Sequence, residues 1–184
     1  EAVKWFRKAA EQGDASAQCL LGIVYRAGSG VVQNDNEAVK WFEKSAEQRH
    51  SHAQYNLGFM YYHGRGVSQN YKEAGKWYKK SAEQGFDGAQ NKVGLLYLLG
   101  LGSVKNYKEA VKWFRKAAEQ GDADAQCNLG FMYYRGHGVF QNYKEAFKWY
   151  KKSAEQGDAG GQLSLGKIYY EGHGVSQNYK ETFK

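Results

Sequence analysis

A period of 36 residues constrains this chain more than any other property. Tryptophan marks the period five times, at Trp5, Trp41, Trp77, Trp113 and Trp149. Longer strings recur in the same register, and residues 1–15 are identical to residues 109–123. A fixed period between about 20 and 50 residues indicates a solenoid or another repeat array, in which each unit packs only on its neighbours. The period therefore predicts one continuous stack of repeats in place of one or two globular domains.

Each repeat begins with a helix that we call the tryptophan helix. In one well-marked copy, Asn106 takes the N-cap position and Glu109 the N3 position of a capping box, in which the asparagine accepts from backbone amides and the glutamate reaches back. Apolar residues then recur at steps of three and four, which is typical of an amphipathic helix. Gly121 follows and is expected to end the helix.

A second helix completes each repeat, and we call it the glycine helix. Asp122 offers its N-cap, and the helix is expected to run from about Ala123 to Arg135. Its recurring glycines are Gly22, Gly58, Gly94, Gly130 and Gly166. A glycine inside a helix costs about 1 kcal/mol relative to alanine. Its return in every copy predicts that a neighbouring helix packs closely against this position.

Two sequence strings alternate along the chain and resemble a known repeat. They are Ala-Gln-x-x-Leu-Gly-x-x-Tyr-x-x-Gly-x-Gly-Val and Asn-Tyr-x-x-Ala-x-x-Trp-Tyr/Phe-x-Lys-Ala/Ser-Ala-Glu-Gln-Gly. Together they look like the Sel-one-like repeat, a family similar to the tetratricopeptide repeat, over essentially the whole sequence. The resemblance implies an all-α fold, a right-handed superhelical α-solenoid of antiparallel helix pairs. Arg49 and His50 depart from the usual Gly-Asp junction, so the cap geometry there is expected to differ.

In the phase of that family, residues 1–184 form a single solenoid. Helix pairs are expected at about residues 14–48, 50–84, 86–120 and 122–156. A lone helix at residues 1–12 precedes them, and another at about 158–172 follows, with the start of a further helix reaching residue 184. Because the sequence opens and stops inside a repeat, we expect it to be a fragment of a longer protein.

The repeat does not supply a catalytic or metal-binding set of residues. His50 and His52 are two positions apart, which puts their rings on different helical faces, and no further ligand completes a site. Cys19 and Cys127 lie in equivalent positions three repeats apart, on the order of 25–30 Å if repeats stack at helix-packing distance, so they cannot form a disulfide. We therefore expect no enzymatic activity, cofactor, metal site or small-molecule substrate. The sequence has no apolar run long enough for a membrane span.

One face of the glycine helices is the leading candidate for a binding surface. The resemblance to tetratricopeptide repeats implies that this face lines a concave groove, and across the repeats it is rich in aromatic residues, which dominate interface hot spots. We therefore predict a non-enzymatic scaffold or adaptor whose groove holds a protein partner, as an extended peptide or a helix. The candidate partner-binding residues are Arg26, Tyr55, Phe59, Tyr62, Asn91, Tyr134, Arg135 and Tyr170. The competing interpretation is that the residues at these equivalent positions are buried between repeats, above all Phe59, Leu95 and Phe131.

A ridge of lysines on the tryptophan helices is the alternative binding surface. It accounts for much of the net charge of +7 and comprises Lys72, Lys76, Lys80, Lys108, Lys112, Lys116, Lys144, Lys148 and Lys152. Such a ridge suits nucleic acid or an anionic membrane. Nearby glutamates partly neutralise it and no aromatic residue is interleaved with the lysines, so a solvated surface is favoured over either partner. Self-association through exposed end helices is a third hypothesis, because those helices present seams that further repeats would cover.

Overall fold

The computed structural model describes residues 1–174, which form ten α-helices and no β-strand. Tryptophan helices and glycine helices alternate as the sequence predicts. The tryptophan helices are α1 (Ala2–Glu11), α3 (Asp35–Glu47), α5 (Tyr71–Glu83), α7 (Tyr107–Gln120) and α9 (Tyr143–Glu155). The glycine helices are α2 (Ala15–Ala27), α4 (Ser51–His63), α6 (Asp87–Leu99), α8 (Ala123–Arg135) and α10 (Ala159–Glu171). The further helix expected to reach residue 184 lies outside the described residues.

Side-chain caps start the helices, but the predicted capping box is only half formed. Asn106 accepts from the amide of Glu109 at 3.1 Å, and its equivalents cap α3, α5 and α9 in the same way. The glutamate does not reach back, since the Asn106 amide already donates to the carbonyl oxygen of Tyr97 at 2.9 Å. The Glu109 carboxylate instead pairs with Lys112 at 3.4 Å. The expectation of a reciprocal box was therefore wrong.

The chain divides into two compact units. The first comprises Glu1–Ala89 with Leu101–Ser103, and the second comprises Gln90–Gly100 with the described residues from Val104 onward. The division falls within α6 and in the turn that follows it. The expectation of a single solenoid over residues 1–184 stays a prediction, so each unit is described by itself.

The first unit has a core built from alternating helices. Its larger cluster of buried residues is Cys19, Ala38, Val39, Phe42, Ala46, Ala53, Leu57 and Met60. The partly buried ring of Trp77 packs against that cluster from the following tryptophan helix. A smaller cluster of Ala10, Ala17 and Leu21 is covered in the same way by Trp41. Each of these tryptophans thus packs on the repeat that precedes it.

The second unit repeats this arrangement. Its larger cluster of buried residues is Ala110, Val111, Phe114, Ala117, Ala118, Ala125, Leu129, Met132 and Trp149. A second cluster joins Ala146 and Tyr150 of α9 to Ile168 of α10. The apolar stripe predicted for the tryptophan helix is therefore confirmed as the core-facing side.

In four repeats the recurring glycine is a point of close approach between helices, as predicted. A Cβ atom at Gly22 would lie 2.6 Å from the ring of Phe42, and one at Gly58 would lie 2.7 Å from the ring of Tyr78. In the second unit, Gly94 faces Phe114 at 2.6 Å and Gly130 faces Tyr150 at 2.7 Å. Real Cβ atoms essentially never approach other heavy atoms within 3.0 Å. The glycine therefore provides the space that the aromatic ring occupies.

Paired glutamines cross the same seam in every internal repeat. The Gln48 side chain donates to Gln18 at 2.8 Å, and Gln84 donates to Gln54 at 2.7 Å. In the second unit, Gln120 donates to Gln90, and Gln156 donates to Gln126, both at 2.8 Å. In each pair, the accepting glutamine on the glycine helix is buried. We call this series the glutamine ladder, and it satisfies polar groups that burial would otherwise penalise.

The junction between α3 and α4 keeps its cap with different residues. Arg49 stands where most repeats carry glycine, yet it adopts the left-handed conformation with φ of 65°. His50 replaces the usual aspartate, and its Nδ1 accepts from the amide of Ala53 at 3.3 Å. Burial lowers the pKa of His50, and the neighbouring His52 lowers it further. The imidazole must be neutral at Nδ1 to accept this bond.

Replacing Gly58 with alanine should destabilise the protein by about 1–3 kcal/mol, because the new methyl group collides with the buried ring of Tyr78. The matched change Gly166→Ala should instead stabilise it by up to about 1 kcal/mol through helix propensity, since among residues 1–174 no atom lies within 4 Å of that site. Chemical denaturation of both variants measures the two effects. Equal effects at the two sites would show that the ring contact does not set the helix spacing.

The double change Arg49→Gly and His50→Asp should raise the free energy of unfolding by about 1–2 kcal/mol, by relieving the left-handed backbone and restoring an aspartate cap. The pKa of His50 is lowered in the folded state, so its contribution is present above the ordinary histidine pKa and is lost as pH falls through the folded value. The advantage of the variant should therefore grow on acidification. Denaturation at several pH values tests this, and a constant difference would contradict it.

Candidate interaction surfaces

The glycine helices of the first unit place a row of aromatic residues on one face. Tyr55, Phe59 and Tyr62 follow one another on α4 at steps of four and three, so they lie along one side of the helix. Arg26 extends the row on α2. All four side chains are half-buried. We call this row the first aromatic face.

Ring contacts fix the tyrosines of the first aromatic face. Tyr55 meets Phe86 edge-on with 5.1 Å between ring centroids, and it meets the buried Tyr78 at 5.5 Å. Tyr62 meets Tyr71 edge-on at 5.2 Å. Edge-to-face pairs at these separations are favourable beyond their buried area. The part played by Phe86 was not predicted from the sequence, although Phe86 stands just before Asp87 where other repeats have glycine.

Arg26 and Phe59 are held by their neighbours. One Arg26 guanidinium nitrogen donates to the Asn56 side chain at 2.8 Å, and the guanidinium lies 5.3 Å from the centre of the Phe59 ring. The ring of Phe59 also contacts His63 at 4.3 Å between centroids. Phe59 packs against the larger core cluster of its unit. The first aromatic face is therefore a preformed surface whose inner part belongs to the core.

The second unit carries the corresponding surface, with Tyr134 and Arg135 on α8 and Tyr170 on α10. We call it the second aromatic face. The Tyr134 hydroxyl donates to Glu171 at 2.6 Å and lies 3.2 Å from Nδ1 of His173. That hydrogen bond to Glu171, with burial adding to it, raises the pKa of Tyr134 to about 12. The guanidinium of Arg135 lies 5.7 Å from the Tyr134 ring. Tyr134 is thus held by neighbours, as Tyr55 and Tyr62 are in the first unit.

A cavity of about 130 Å³ opens beside Tyr134. Its lining residues are Phe131, Tyr134, Arg135, Tyr150, Ser164 and Lys167. Two cationic side chains and three aromatic rings line it and can accept one acidic or aromatic side chain of a partner. Lys167 was not predicted from the sequence, because the equivalent residues in other repeats are apolar.

Two of the predicted partner-binding residues lie in very different environments. Asn91 is only 3% exposed, and its side-chain oxygen accepts from Asn128 at 3.0 Å. Tyr170 is 56% exposed on α10. Leu95 and Phe131 are partly buried against the larger core cluster of the second unit. The predicted partner-binding residues and their equivalents in other repeats are therefore partly core and partly surface. Asn91 has no surface to offer a partner in this conformation.

The lysine ridge is exposed, and three of its nine lysines pair with glutamate. Lys76 pairs with Glu73 at 3.3 Å, and equivalent pairs recur in three other repeats at 2.7–3.8 Å. Exposed pairs of this kind contribute little to stability, but they reduce the positive field. Lysines also lie over tryptophan rings, as where Lys80 lies 4.1 Å from the centre of the Trp77 ring. These rings belong to the core-facing side of their helices, so the expectation that no aromatic residue is interleaved with the lysines on the exposed face stays a prediction.

Residues 1–174 were compared with the requirements of a metal site and of a membrane-spanning helix. No group of three or more histidine, cysteine or acidic side chains within residues 1–174 is placed to hold a metal ion. No helix in that range is long and apolar enough to cross a membrane. Burial raises the pKa of Cys19 and of Cys127 to about 11, so both thiols are protonated at neutral pH.

Alternating helices, seam glycines and glycine-ended turns define a helix-pair repeat protein of the tetratricopeptide-like solenoid class. The chain belongs to the Sel1 repeat family. Sel1 repeats match residues 1–14, 15–50, 51–86, 88–122, 123–158 and 159–184. Proteins of this family generally mediate protein–protein interaction. The predicted family and fold class are therefore confirmed.

Several solved structures are similar to this one. A Sel1 repeat protein from Oxalobacter formigenes is 41% identical with a TM-score of 0.90, and the match covers 94% of this chain and 68% of that protein. The protective antigen c5321 of uropathogenic Escherichia coli, which displays an SLR fold, is 39% identical with a TM-score of 0.93. That match covers 98% of this chain but only 40% of c5321. A search of curated proteins gave no match.

A more distant likeness concerns the fold alone. The immunity protein Pa5087 from Pseudomonas aeruginosa is 23% identical with a TM-score of 0.62. The match covers 98% of this chain and 65% of that protein. At this identity the shared feature is the arrangement of helices, and binding surfaces are free to differ.

Both cysteines should react slowly with iodoacetamide at neutral pH, because only the thiolate is nucleophilic. A pKa of about 11 leaves roughly a hundredfold less thiolate than an ordinary cysteine has. Mass spectrometry after timed alkylation measures the rate, and the same protein in denaturant supplies the reference. A folded-state rate equal to the denatured-state rate would contradict the burial of the thiols.

Proposed function

We propose that this chain is a non-enzymatic scaffold that binds a protein partner, as an extended peptide or a helix, along the aromatic faces of its glycine helices. One observation carries the proposal. Half-buried tyrosines recur on this face at Tyr62 and Tyr134, in equivalent positions of the two units. Large aromatic side chains that keep part of their surface in water are the residues that most often anchor protein interfaces.

Contacts within the chain already hold these tyrosines in place before a partner binds, and this favours affinity. Tyr62 lies against Tyr71, and Tyr134 is held by Glu171. A partner therefore meets side chains that have already lost much of their rotational freedom, and less conformational entropy is lost on association. Each anchor adds a modest contribution, and several along one partner add up without reordering the scaffold.

The chemistry of the second aromatic face narrows the kind of partner. Arg135 and Lys167 line the cavity together with Phe131, Tyr134 and Tyr150. A partner segment with an acidic or aromatic side chain at one position fits this combination. Tyr170 extends the face along α10. Arg26, Tyr55 and Phe59 supply the corresponding surface of the first unit.

The lysine ridge is the competing surface for acidic polymers or an anionic membrane. One of its lysines in each of three repeats pairs with a glutamate, and this pairing lowers the local positive charge available to such a partner. Binding through the ridge would release counterions and would therefore weaken steeply with added salt. Binding through the aromatic faces would change little over the same range, so salt separates the two surfaces.

The triple variant Tyr55→Ala, Tyr62→Ala, Tyr134→Ala should lose partner capture by at least about tenfold, because truncating an interface anchor commonly costs more than 1 kcal/mol at each site. The measurement is a pull-down at physiological salt with the native chain and the variant, followed by titration of the partner that is identified. Circular dichroism must show that the variant keeps its helices, since Tyr55 also contacts the core residue Tyr78.

A triple variant of the ridge, Lys72→Ala, Lys108→Ala, Lys144→Ala, is the matched control. These lysines are exposed and equivalent in three repeats, so the same number of side chains is shortened on the other surface. The control should bind like the native chain. The proposal is overturned if the lysine variant loses the partner, the tyrosine variant keeps it, and salt releases it.

A further inference from the structure

One position in the turn after the glycine helix leaves an apolar side chain in water. It lies two residues before the capping asparagine, and in the first unit Val32 is 88% exposed there. In the second unit Val104 is 88% exposed and Phe140 is 97% exposed. Ser68 takes the same position in the turn between α4 and α5. Because Val104 keeps its exposure with a following repeat in place, the exposure belongs to the turn position itself.

Two of these turns lie side by side in the second unit. A Cβ atom built on Gly138 would lie 2.5 Å from the backbone of Tyr107, so the turn after α8 packs on the start of α7. The ring of His137 stacks on the Tyr107 ring with 4.4 Å between centroids. Val104 and Phe140 therefore lie at the same edge of this unit, beside the N-terminal ends of α7 and α9. We call this surface the turn edge, and it comprises residues 104–108 and 136–144.

The turn edge is positively charged and contains no acidic residue. Its exposed lysines are Lys105, Lys108 and Lys144. Among the described residues, no carboxylate forms an ion pair with any of these three lysines. The nearest acidic residue of α7, Glu109, pairs instead with Lys112 at 3.4 Å, and α9 repeats this pair. The N-terminal ends of α7 and α9 add the positive ends of their helix dipoles.

A groove of about 710 Å³ opens beside Phe140. Its lining includes Lys108, Tyr133, Val139 and Asn142, and it contains no acidic residue. The side-chain oxygen of Asn142 accepts from two backbone amides of α9, both at 3.1 Å, so the NH₂ group is the part of this side chain that is left for a ligand. The groove therefore offers one cation and one amide donor beside apolar surface. An anionic headgroup with an attached acyl chain has the matching chemistry.

We propose that the turn edge docks on an anionic lipid surface, with Val104 and Phe140 entering the interface and the edge lysines lying among the headgroups. Apolar side chains flanked by lysines are typical of segments that bind the membrane interface. Attraction to the anionic lipids brings the edge to the surface, and burial of the two apolar side chains then holds it there. The contact is peripheral and reversible, because few apolar groups are buried.

The exposure of Phe140 selects a lipid surface over a folded protein partner. The anchors of the proposed function, Tyr62 and Tyr134, are half-buried and held by neighbouring side chains. Phe140 is almost fully exposed, so a rigid partner would have to immobilise it and lose the associated entropy. A fluid acyl layer accepts such a side chain without requiring one rotamer or a complementary shape. The turn edge is thus a second surface, and it does not depend on the aromatic faces.

The double variant Val104→Ser, Phe140→Ser tests the apolar part of the turn edge. Serine already occurs at this turn position as Ser68, and both replaced side chains are exposed, so the fold is expected to persist. Co-sedimentation at physiological salt uses phosphatidylcholine vesicles that contain about 30% phosphatidylserine. The native chain should bind them, and the double variant should bind at least about tenfold more weakly. Pure phosphatidylcholine vesicles should also bind the native chain at least about tenfold more weakly.

The matched control is Leu20→Asn, which removes an exposed apolar side chain outside the turn edge. Asparagine occurs at the equivalent position as Asn56, and the control should bind the vesicles like the native chain. Circular dichroism of each variant checks that the helices are kept. Equal losses in the control and in the double variant would overturn the proposal, because the turn edge would then have no special part in binding.

A tryptophan at position 140 measures insertion directly. In the variant Phe140→Trp, lipids brominated on their acyl chains should quench the fluorescence more strongly than they quench that of the native chain, because tryptophan prefers the interface. Equal quenching overturns insertion at this residue.

Three further results would show that the turn edge does not dock on lipid. The first is a native chain that does not bind the anionic vesicles. The second is a double serine variant that binds them as the native chain does, which would assign the attraction to the lysine ridge. The third is a double serine variant that loses the protein partner of the aromatic faces while the native chain ignores vesicles, which would make the turn edge a protein contact. The proposed function survives each of these results, since the tyrosine variant tests it separately.

Discussion

The packing of an aromatic ring on a helical glycine sets the spacing between successive repeats. In the first unit, Phe42 lies over Gly22 and Tyr78 over Gly58, and the second unit has two equivalent contacts. The ring occupies the volume that a side chain would fill, so it packs directly on the backbone of the glycine helix. Burying the large ring offsets the helix propensity that glycine costs. The glutamine ladder crosses the same seam and links each glycine helix to the tryptophan helix that follows it.

That seam also determines which residues are left for binding. With the ring of the next helix seated on its glycine, α4 leaves Tyr62 and α8 leaves Tyr134 half-buried at the surface. Tyr62 contacts Tyr71 of α5, and Tyr134 donates to Glu171 of α10, so residues of neighbouring helices hold both tyrosines in place. Specificity then comes from substitutions between repeats. Lys167 on α10 is one of these, and it places a cation beside a row that is otherwise apolar.

The helices were predictable because their signals are local. Asparagine caps, glycine stops and apolar spacing gave α7 and α8 their observed limits, and the packing role of the recurring glycine followed from its cost. The site was less predictable because exposure depends on contacts between repeats. Asn91 takes the same position in its repeat as the half-buried Tyr55. The Asn91 side chain is nevertheless buried, and it accepts a hydrogen bond from Asn128. The missing half of the capping box has a similar cause, since a carbonyl of the preceding helix binds the asparagine amide before the glutamate can. Spacing alone does not reveal such competition.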